Sequence, residues 1–216
     1  VLGSRGLGDV YKRQTWMFGR DLVNWNNNFT WAKWVTPSRD LISAFKQEGD
    51  EVRFKESIVY YDCNWSNYYP SDNYPFMYKC RSANSSIIKF RYADVLLLKA
   101  EALIMQDTPD LEGAADIIDK VRDRAKLGAL PTSVRSNKNA MLNALLKERR
   151  LELAFEGQRW FDLVRLDKVE EVMNAVYAKD SGRKAQIYTF DKNSYRLPIP
   201  QSVIDANDKI HQNPGY

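Results

Sequence analysis

The feature that most constrains the fold of this chain is a change in composition near Phe90. Beyond this residue the sequence is rich in Leu, Ala, Glu and Arg, and apolar residues recur at intervals of three and four, which is typical of amphipathic helices. Before it the sequence is rich in Asn, Ser, Tyr and Trp, and 16 of the 27 aromatic residues fall between Trp16 and Tyr78. The sequence therefore predicts a mainly α-helical region over 90–216 that follows a loop-rich aromatic segment over 15–89.

The apolar spacing places the individual helices. A first helix is predicted over 92–105, and Thr108 and Pro109 are predicted to cap and begin a second helix that ends before Gly128. Because the connection is short, these two helices are expected to form an antiparallel hairpin. Further predictions are helices over 138–155, 158–166 and 170–177, a short strand over 186–190, and an extended segment over 197–200, where two prolines disfavour helix.

Composition and charge exclude several classes of protein. The 32 basic and 28 acidic residues give a net charge of +4 that is spread along the chain, so a nucleic-acid partner is not expected. With two cysteines and one histidine, a Cys/His zinc site is not expected, and neither a metal nor a cofactor is implied. The apolar runs are far shorter than the roughly 20 residues that span a bilayer, so no membrane-spanning helix is predicted.

Five stretches of the C-terminal half occur in an order that matches a known family. They read FRYADVLLLKAEA at 90–102, VRDRA at 121–125, ERRLELAFEGQRWFDLVR at 148–165, YRLPIPQ at 195–201 and QNPGY at 212–216. Upstream of them lies TPSRDL at 36–41, with Phe45 and Arg53 beyond it. In this ordered set the chain resembles the C-terminal half of the SusD/RagB family of nutrient-binding outer-membrane lipoproteins.

The resemblance implies tetratricopeptide-like helical hairpins with long aromatic-rich loops, in a truncated SusD-like fold. It also implies a non-catalytic protein that captures oligosaccharide at the cell surface and passes it to a SusC-like TonB-dependent transporter in the outer membrane. Members of the family are usually more than twice this long, so we expect the N-terminal half and its lipid-bearing cysteine to be absent from this chain. Residues 1–14 do not resemble the family and are expected to be an adapter-derived, non-native tail.

An aromatic loop between Tyr60 and Tyr78 is the predicted ligand site. Its rings stand among Asn and Asp side chains, and apolar ring faces beside amides and carboxylates suit the stacking and hydrogen bonding of a sugar. The alternative is that these aromatics pack against the helical core or against the missing half. Packing is favoured for Tyr60, Tyr61 and Tyr78, because they flank the loop and could lie in short strands. The predicted glycan contacts are Trp65, Asn67, Tyr68, Tyr69, Asp72 and Tyr74.

Two cysteines, Cys63 and Cys80, bracket this loop with 16 residues between them. In an oxidising compartment they could form a disulfide, worth about 3 kcal/mol in the loop-entropy model, that would hold the aromatics in one arrangement. This bridge is favoured over the alternative of two free buried thiols.

Three carboxylates, Glu148, Glu152 and Glu156, follow one another at i, i+4 and i+8 and share one helix face. Paired carboxylates are the catalytic groups of glycosidases. However, neighbouring arginines such as Arg149 and Arg159 lower a carboxylate pKa, whereas a general acid needs a raised one. We therefore predict that Glu148, Arg149, Glu152, Glu156 and Arg159 form a structural ion-pair network and that the chain is not an enzyme. The main alternative function is a helical-repeat module that binds a protein partner through its aromatics.

Overall fold

A computed structural model of the chain describes residues 37–61, 73–79, 88–179 and 190–216. The structure divides after Arg159 into two compact units. The first unit contains helices α1 (Arg39–Glu48), α2 (Glu51–Ser57), α3 (Tyr92–Met105), α4 (Leu111–Arg124), α5 (Thr132–Arg135) and α6 (Lys138–Glu152), with strands β1 (Ile58–Tyr61) and β2 (Tyr74–Met77). The mainly α-helical class is confirmed. The boundaries predicted near residues 14 and 89, between the tail, the loop-rich segment and the helical region, stay predictions.

Side-chain caps define the first two helices. The Ser38 hydroxyl accepts a hydrogen bond from the Leu41 N–H at 3.1 Å, which begins α1. Gly49 ends α1 in the left-handed conformation with φ 71°, which glycine adopts without a steric penalty. The Asp50 carboxylate then accepts from the Arg53 N–H at 3.1 Å and begins α2. The two helices therefore follow each other with a tight turn between them.

Strands β1 and β2 form an antiparallel pair directly after α2. Ile58 pairs with Met77 and Tyr61 pairs with Tyr74, so the segments on either side of 62–73 are held side by side. Ile58, Phe76 and Met77 are buried, which anchors the pair to the helices below it. The strand conformation predicted for residues 60 and 61 is therefore confirmed, whereas Tyr78 lies one residue beyond the end of β2.

The main hydrophobic core lies between α3, α4 and α6. It contains Leu97, Ala100 and Ile104 from α3, Ala114, Ala115, Ile117, Ile118 and Val121 from α4, and Met141 and Leu145 from α6. Helix α3 has the predicted bounds, but the start predicted for α4 was wrong. Asp110 caps this helix, because its carboxylate accepts from the Gly113 N–H at 2.9 Å while its own N–H donates to the Leu103 carbonyl at 3.1 Å.

The ends of α4 and α6 also differ from the sequence-based expectation. Helix α4 ends at Arg124, and Lys126 adopts a positive φ of 58°, so the chain has turned before it reaches Gly128. Helix α6 ends at Glu152 rather than at Phe155. Phe155 and Gly157 have positive φ values of 67° and 80°, which reverse the chain after the last turn of α6.

The second unit begins at Trp160 and contains most of α7 (Arg159–Arg165), then α8 (Val169–Lys179) and the short α9 (Gln201–Asp205). The rings of Trp160, Phe190 and Tyr195 form a cluster, with centroid separations of 5.9 to 6.4 Å. The Gln212 side chain bonds both the N–H and the carbonyl of Ile199, at 2.8 and 2.9 Å, and so holds the extended segment. Of the strand predicted over 186–190, only Phe190 is described, and it lies outside any strand. Within the ranges that the structure describes, no helix has both the length and the apolar character needed to cross a membrane.

Candidate functional site

The first unit contains a cluster of buried carboxylates at the C-terminal end of α6 and just beyond it. Glu148 and Glu152 lie on α6, but Glu156 lies four residues past its end, so the prediction that all three share one helix face was wrong. The side chains of Glu148, Glu152 and Glu156 are each only 2 to 3% exposed. Arg53 of α2 inserts between two of them, because its Nη1 lies 2.6 Å from Glu148 Oε1 and 3.1 Å from Glu152 Oε2. Its Nε lies 2.5 Å from Asp50 Oδ2. A single guanidinium thus serves three carboxylates.

Two further cations, Arg91 and Lys79, cover the end of α6. Arg91 Nη1 lies 2.6 Å from Glu152 Oε1, and its Nε lies 2.7 Å from Glu156 Oε2. Lys79 Nζ lies 2.5 Å from Glu156 Oε1. Both also donate to the backbone carbonyl of Glu152, Arg91 at 2.6 Å and Lys79 at 2.8 Å. Because Glu152 is the last residue of α6, these contacts satisfy a free carbonyl at the negative end of the helix dipole.

Two carboxylates of this cluster, Glu148 and Glu152, differ in the direction of their pKa shift. Burial raises the pKa of Glu148, and Arg53 only partly offsets it. Burial also acts to raise the pKa of Glu152, but the hydrogen bonds and charges of Arg91, Arg124 and Arg53 outweigh it, so its pKa is lowered. The carboxylates in turn raise the pKa of Arg53 against the effect of burial. Glu152 is therefore the firmly ionised centre of the cluster.

The partners in this cluster come from outside α6. Arg149 Nη1 lies 2.9 Å from Asp94 Oδ1 of α3, and Arg159 donates to the Leu146 carbonyl at 3.1 Å. The residues that pair with the three glutamates and were not predicted to belong to the ion-pair network are Arg53, Lys79, Arg91, Arg122 and Arg124. All of them except Lys79 lie in or beside the stretches that carry the family resemblance. Their place in those stretches is the sequence signal that could have identified them.

A cavity of about 330 Å³ lies over this cluster. Four cations, three carboxylates and five uncharged residues line it: Arg53, Lys79, Arg91, Arg124, Glu56, Glu152, Glu156, Val52, Ser57, Ile88, Ala125 and Leu151. The cations at its surface are more accessible than the carboxylates beneath, because Lys79 and Arg91 are 24% exposed and Arg124 is 61% exposed. The cavity thus presents a positive face.

The predicted glycan site lies almost wholly outside the described residues. Trp65, Asn67, Tyr68, Tyr69 and Asp72 fall there, as do Cys63 and Cys80, so their roles stay predictions. Tyr74 is described: it lies in β2, is 5% exposed, and its ring centroid is 4.9 Å from that of Phe76. The Tyr74 ring therefore packs within the described part of the hairpin. Its predicted contact with a ligand stays a prediction.

Comparison with known proteins places this arrangement in a family. The model of the SusD family matches residues 71–216, which is more than half of the chain. The chain belongs to the SusD family. Two SusD-like proteins of Formosa agariphila are 43% identical over 99 residues and 35% identical over 143 residues. These matches cover 43% and 63% of this chain but only 19% and 27% of the relatives.

Solved structures of SusD proteins share the fold. A SusD homologue of Bacteroides thetaiotaomicron has a TM-score of 0.64 at 23% identity and matches 82% of this chain and 43% of its own. A SusD superfamily protein of Bacteroides vulgatus has a TM-score of 0.58 at 22% identity, over 84% of this chain and 44% of its own. The predicted SusD-like, tetratricopeptide-like helical fold is confirmed, and this chain spans less than half the length of these proteins.

Proposed function

We propose that this SusD family chain belongs to a non-catalytic binding protein of an outer-membrane nutrient uptake system. The observation that carries the proposal is the family match over residues 71–216. In this proposal the protein captures oligosaccharide at the cell surface, is held at the outer membrane by a lipid anchor, and delivers its ligand to a SusC-like TonB-dependent transporter.

The described hairpin supports a role for the aromatic loop in capture. Strands β1 and β2 hold residues 61 and 74 opposite each other, so both ends of the segment between them are fixed at one place. The base of the hairpin is rigid because Ile58, Phe76 and Met77 are 1 to 3% exposed. Binding residues commonly lie on loops that a rigid scaffold positions. We propose Trp65, Tyr68 and Tyr69 as the stacking platforms of this loop.

The carboxylates of the first unit support binding rather than catalysis. Glu148 and Glu152 are each 2% exposed, and both contact Arg53. A glycosidase needs two carboxyl groups that reach the scissile bond from opposite sides. In this proposal the two glutamates hold α6 against α2 and act on no substrate.

Isothermal calorimetry of the complete protein against a glycan panel tests the proposal. We expect saturable binding of at least one oligosaccharide with no new reducing ends, and a Trp65→Ala variant that binds at least tenfold more weakly. Tyr92→Ala is the matched control, because Tyr92 is 77% exposed on α3 and is not one of the predicted glycan contacts. New reducing ends would establish an enzyme instead, and absence of binding to every glycan would favour the protein-interaction module. Unchanged glycan affinity in the Trp65→Ala variant would show that the aromatic loop is not part of the binding site.

Delivery to a transporter needs a separate test. We expect the complete, lipid-anchored protein to co-purify with a SusC-like transporter from outer membranes solubilised in mild detergent. Recovery of the protein without any TonB-dependent transporter, under conditions that preserve a known SusC/SusD pair, would contradict this part of the proposal.

A further inference from the structure

The cavity over the α6 carboxylates has its charges arranged in two layers. Glu152 and Glu156 form the lower layer and are 2 to 3% exposed. Lys79, Arg91 and Arg124 form the upper layer and are 24 to 61% exposed. These cations are therefore more accessible to a ligand in the cavity than Glu152 and Glu156 are. Glu56 is the exposed carboxylate at the rim.

One buried hydrogen-bond donor of this cluster has no partner among the described residues. Arg53 lines the cavity with a side chain that is 10% exposed, and its Nη2 is buried and has no hydrogen-bond partner in the part of the chain that the structure describes. Buried polar groups are nearly always paired, so an unmatched guanidinium N–H indicates that the site can accommodate another acceptor.

The remaining wall of the cavity is apolar. Val52 and Ile88 are 38% and 37% exposed, and Leu151 lies beneath them at 1%. The volume of about 330 Å³ lies at the lower end of the range of roughly 300–1,000 Å³ for small-molecule sites. A lining that combines apolar side chains with a few charged groups suits a ring that carries one ionised substituent, and the volume suits one such ring rather than a long chain.

We propose that this cavity is a binding subsite for a carboxylate-bearing sugar residue, with Lys79, Arg91 and Arg124 as the cations that contact the carboxylate. The inference rests on the proposed function, because it assigns an acidic glycan as one ligand of the protein. Tyr74, the predicted loop contact that the structure describes, does not line the cavity.

Ligand-observed saturation-transfer NMR on the complete protein, at low ionic strength, tests the subsite. The probes are D-glucuronate and D-glucose, which have the same ring and differ in the carboxylate. We expect saturable binding of glucuronate and at least tenfold weaker binding of glucose. We also expect the affinity for glucuronate to fall as NaCl is raised, because the cations are exposed and therefore screened. Equal binding of both sugars, or no binding of glucuronate, would overturn the proposal.

Variants at the exposed cations locate the binding. Lys79→Gln and Arg124→Gln each remove one charge-assisted hydrogen bond, and we expect about tenfold weaker glucuronate binding from each. Lys55→Gln is the matched control: Lys55 lies on α2 and, like the two cavity residues, forms an ion pair, here with Glu51, but it is 73% exposed and does not line the cavity. Thermal unfolding of all variants separates loss of binding from loss of fold. An equal effect in the Lys55 variant, or none in either cavity variant, would contradict the assignment.

Neutral oligosaccharides distinguish failure of this inference from failure of the proposed function. If the protein binds a neutral oligosaccharide through the loop but not glucuronate, the subsite is wrong and the capture function stands. If Lys79→Gln weakens glucuronate binding and leaves neutral oligosaccharide binding unchanged, the cavity is a subsite with its own ligand class.

Discussion

Substitution of Glu152 by Gln tests whether the buried ion pairs hold the first unit together. The change keeps the size of the side chain and removes its charge. In the structure this charge faces Arg91 Nη1 at 2.6 Å and Arg53 Nη1 at 3.1 Å, and it also contacts Arg124. After substitution, the amide N–H₂ of Gln faces guanidinium donors, so at least one former ion pair becomes a donor–donor contact.

The expected destabilisation follows from the exposure of each partner. Arg124 is 61% exposed and can turn to water, so its pair contributes about 0–1 kcal/mol. Arg53 and Arg91 are 10% and 24% exposed, but each keeps another carboxylate, Glu148 for Arg53 and Glu156 for Arg91. Removal of one partner of a buried pair costs about 3–5 kcal/mol, and the retained partners favour the lower end. We therefore expect a loss of about 3 kcal/mol in the free energy of unfolding.

Urea unfolding of the complete protein at pH 7 measures this loss. Glu51→Gln is the matched control, because Glu51 is 76% exposed in its pair with Lys55, and we expect a change below about 0.5 kcal/mol. The pKa of Glu152 is lowered from its usual value of 4.5. Its ionisation therefore stabilises the fold above about pH 4.5, and this contribution is lost as the pH falls through the folded-state pKa. A variant that unfolds like wild type at pH 7, or whose deficit is the same at pH 3, would refute the reasoning.

Other predictions address the same fold, each measured by urea unfolding. Glu148→Gln should destabilise less than Glu152→Gln at pH 7, because burial raises the pKa of Glu148 and so already disfavours its charged form; a larger loss would contradict this. Phe45→Ala should cost about 3–5 kcal/mol, since Phe45 is fully buried, whereas Phe90→Ala, at a site 76% exposed, should change little. Gly157→Ala should lower the free energy of unfolding by about 1 kcal/mol, because Gly157 has a φ of 80°, whereas Gly128→Ala should change it little. Equal effects of the two substitutions would show that backbone strain is not the cause.

The local signals of the sequence were sufficient where a helix depends on its own periodicity. Helix α3 has the predicted bounds, Tyr92–Met105. The start of α4 was misplaced because Thr108, Pro109 and Asp110 all suit a helix N-terminus by local rules. A contact from another element selects among them, since the Asp110 N–H donates to the Leu103 carbonyl of α3 at 3.1 Å.

The candidate site was predictable in part. The i, i+4, i+8 spacing indicated that Glu148, Glu152 and Glu156 act together, and the neighbouring arginines indicated an ion-pair role rather than catalysis. The partners were not predictable from spacing, because they are distant in sequence. Arg53 is 95 residues from Glu148, and Arg91 is 61 residues from Glu152. The cavity could not be predicted from the sequence either, because its lining comes from segments that are distant along the chain, including α2, the end of β2 and the turn after α4.

The sequence by itself determined the helical class of this chain, the bounds of its most periodic helix and its membership of the SusD family. These properties depend on residue type, periodicity and the order of motifs, all of which are local along the chain. The tertiary structure decided which cation faces which carboxylate, which charges are buried, and where a cavity with a positive face is left open. Those properties depend on how distant segments pack, because the energy of a buried charge is set by the groups that packing brings within hydrogen-bond distance.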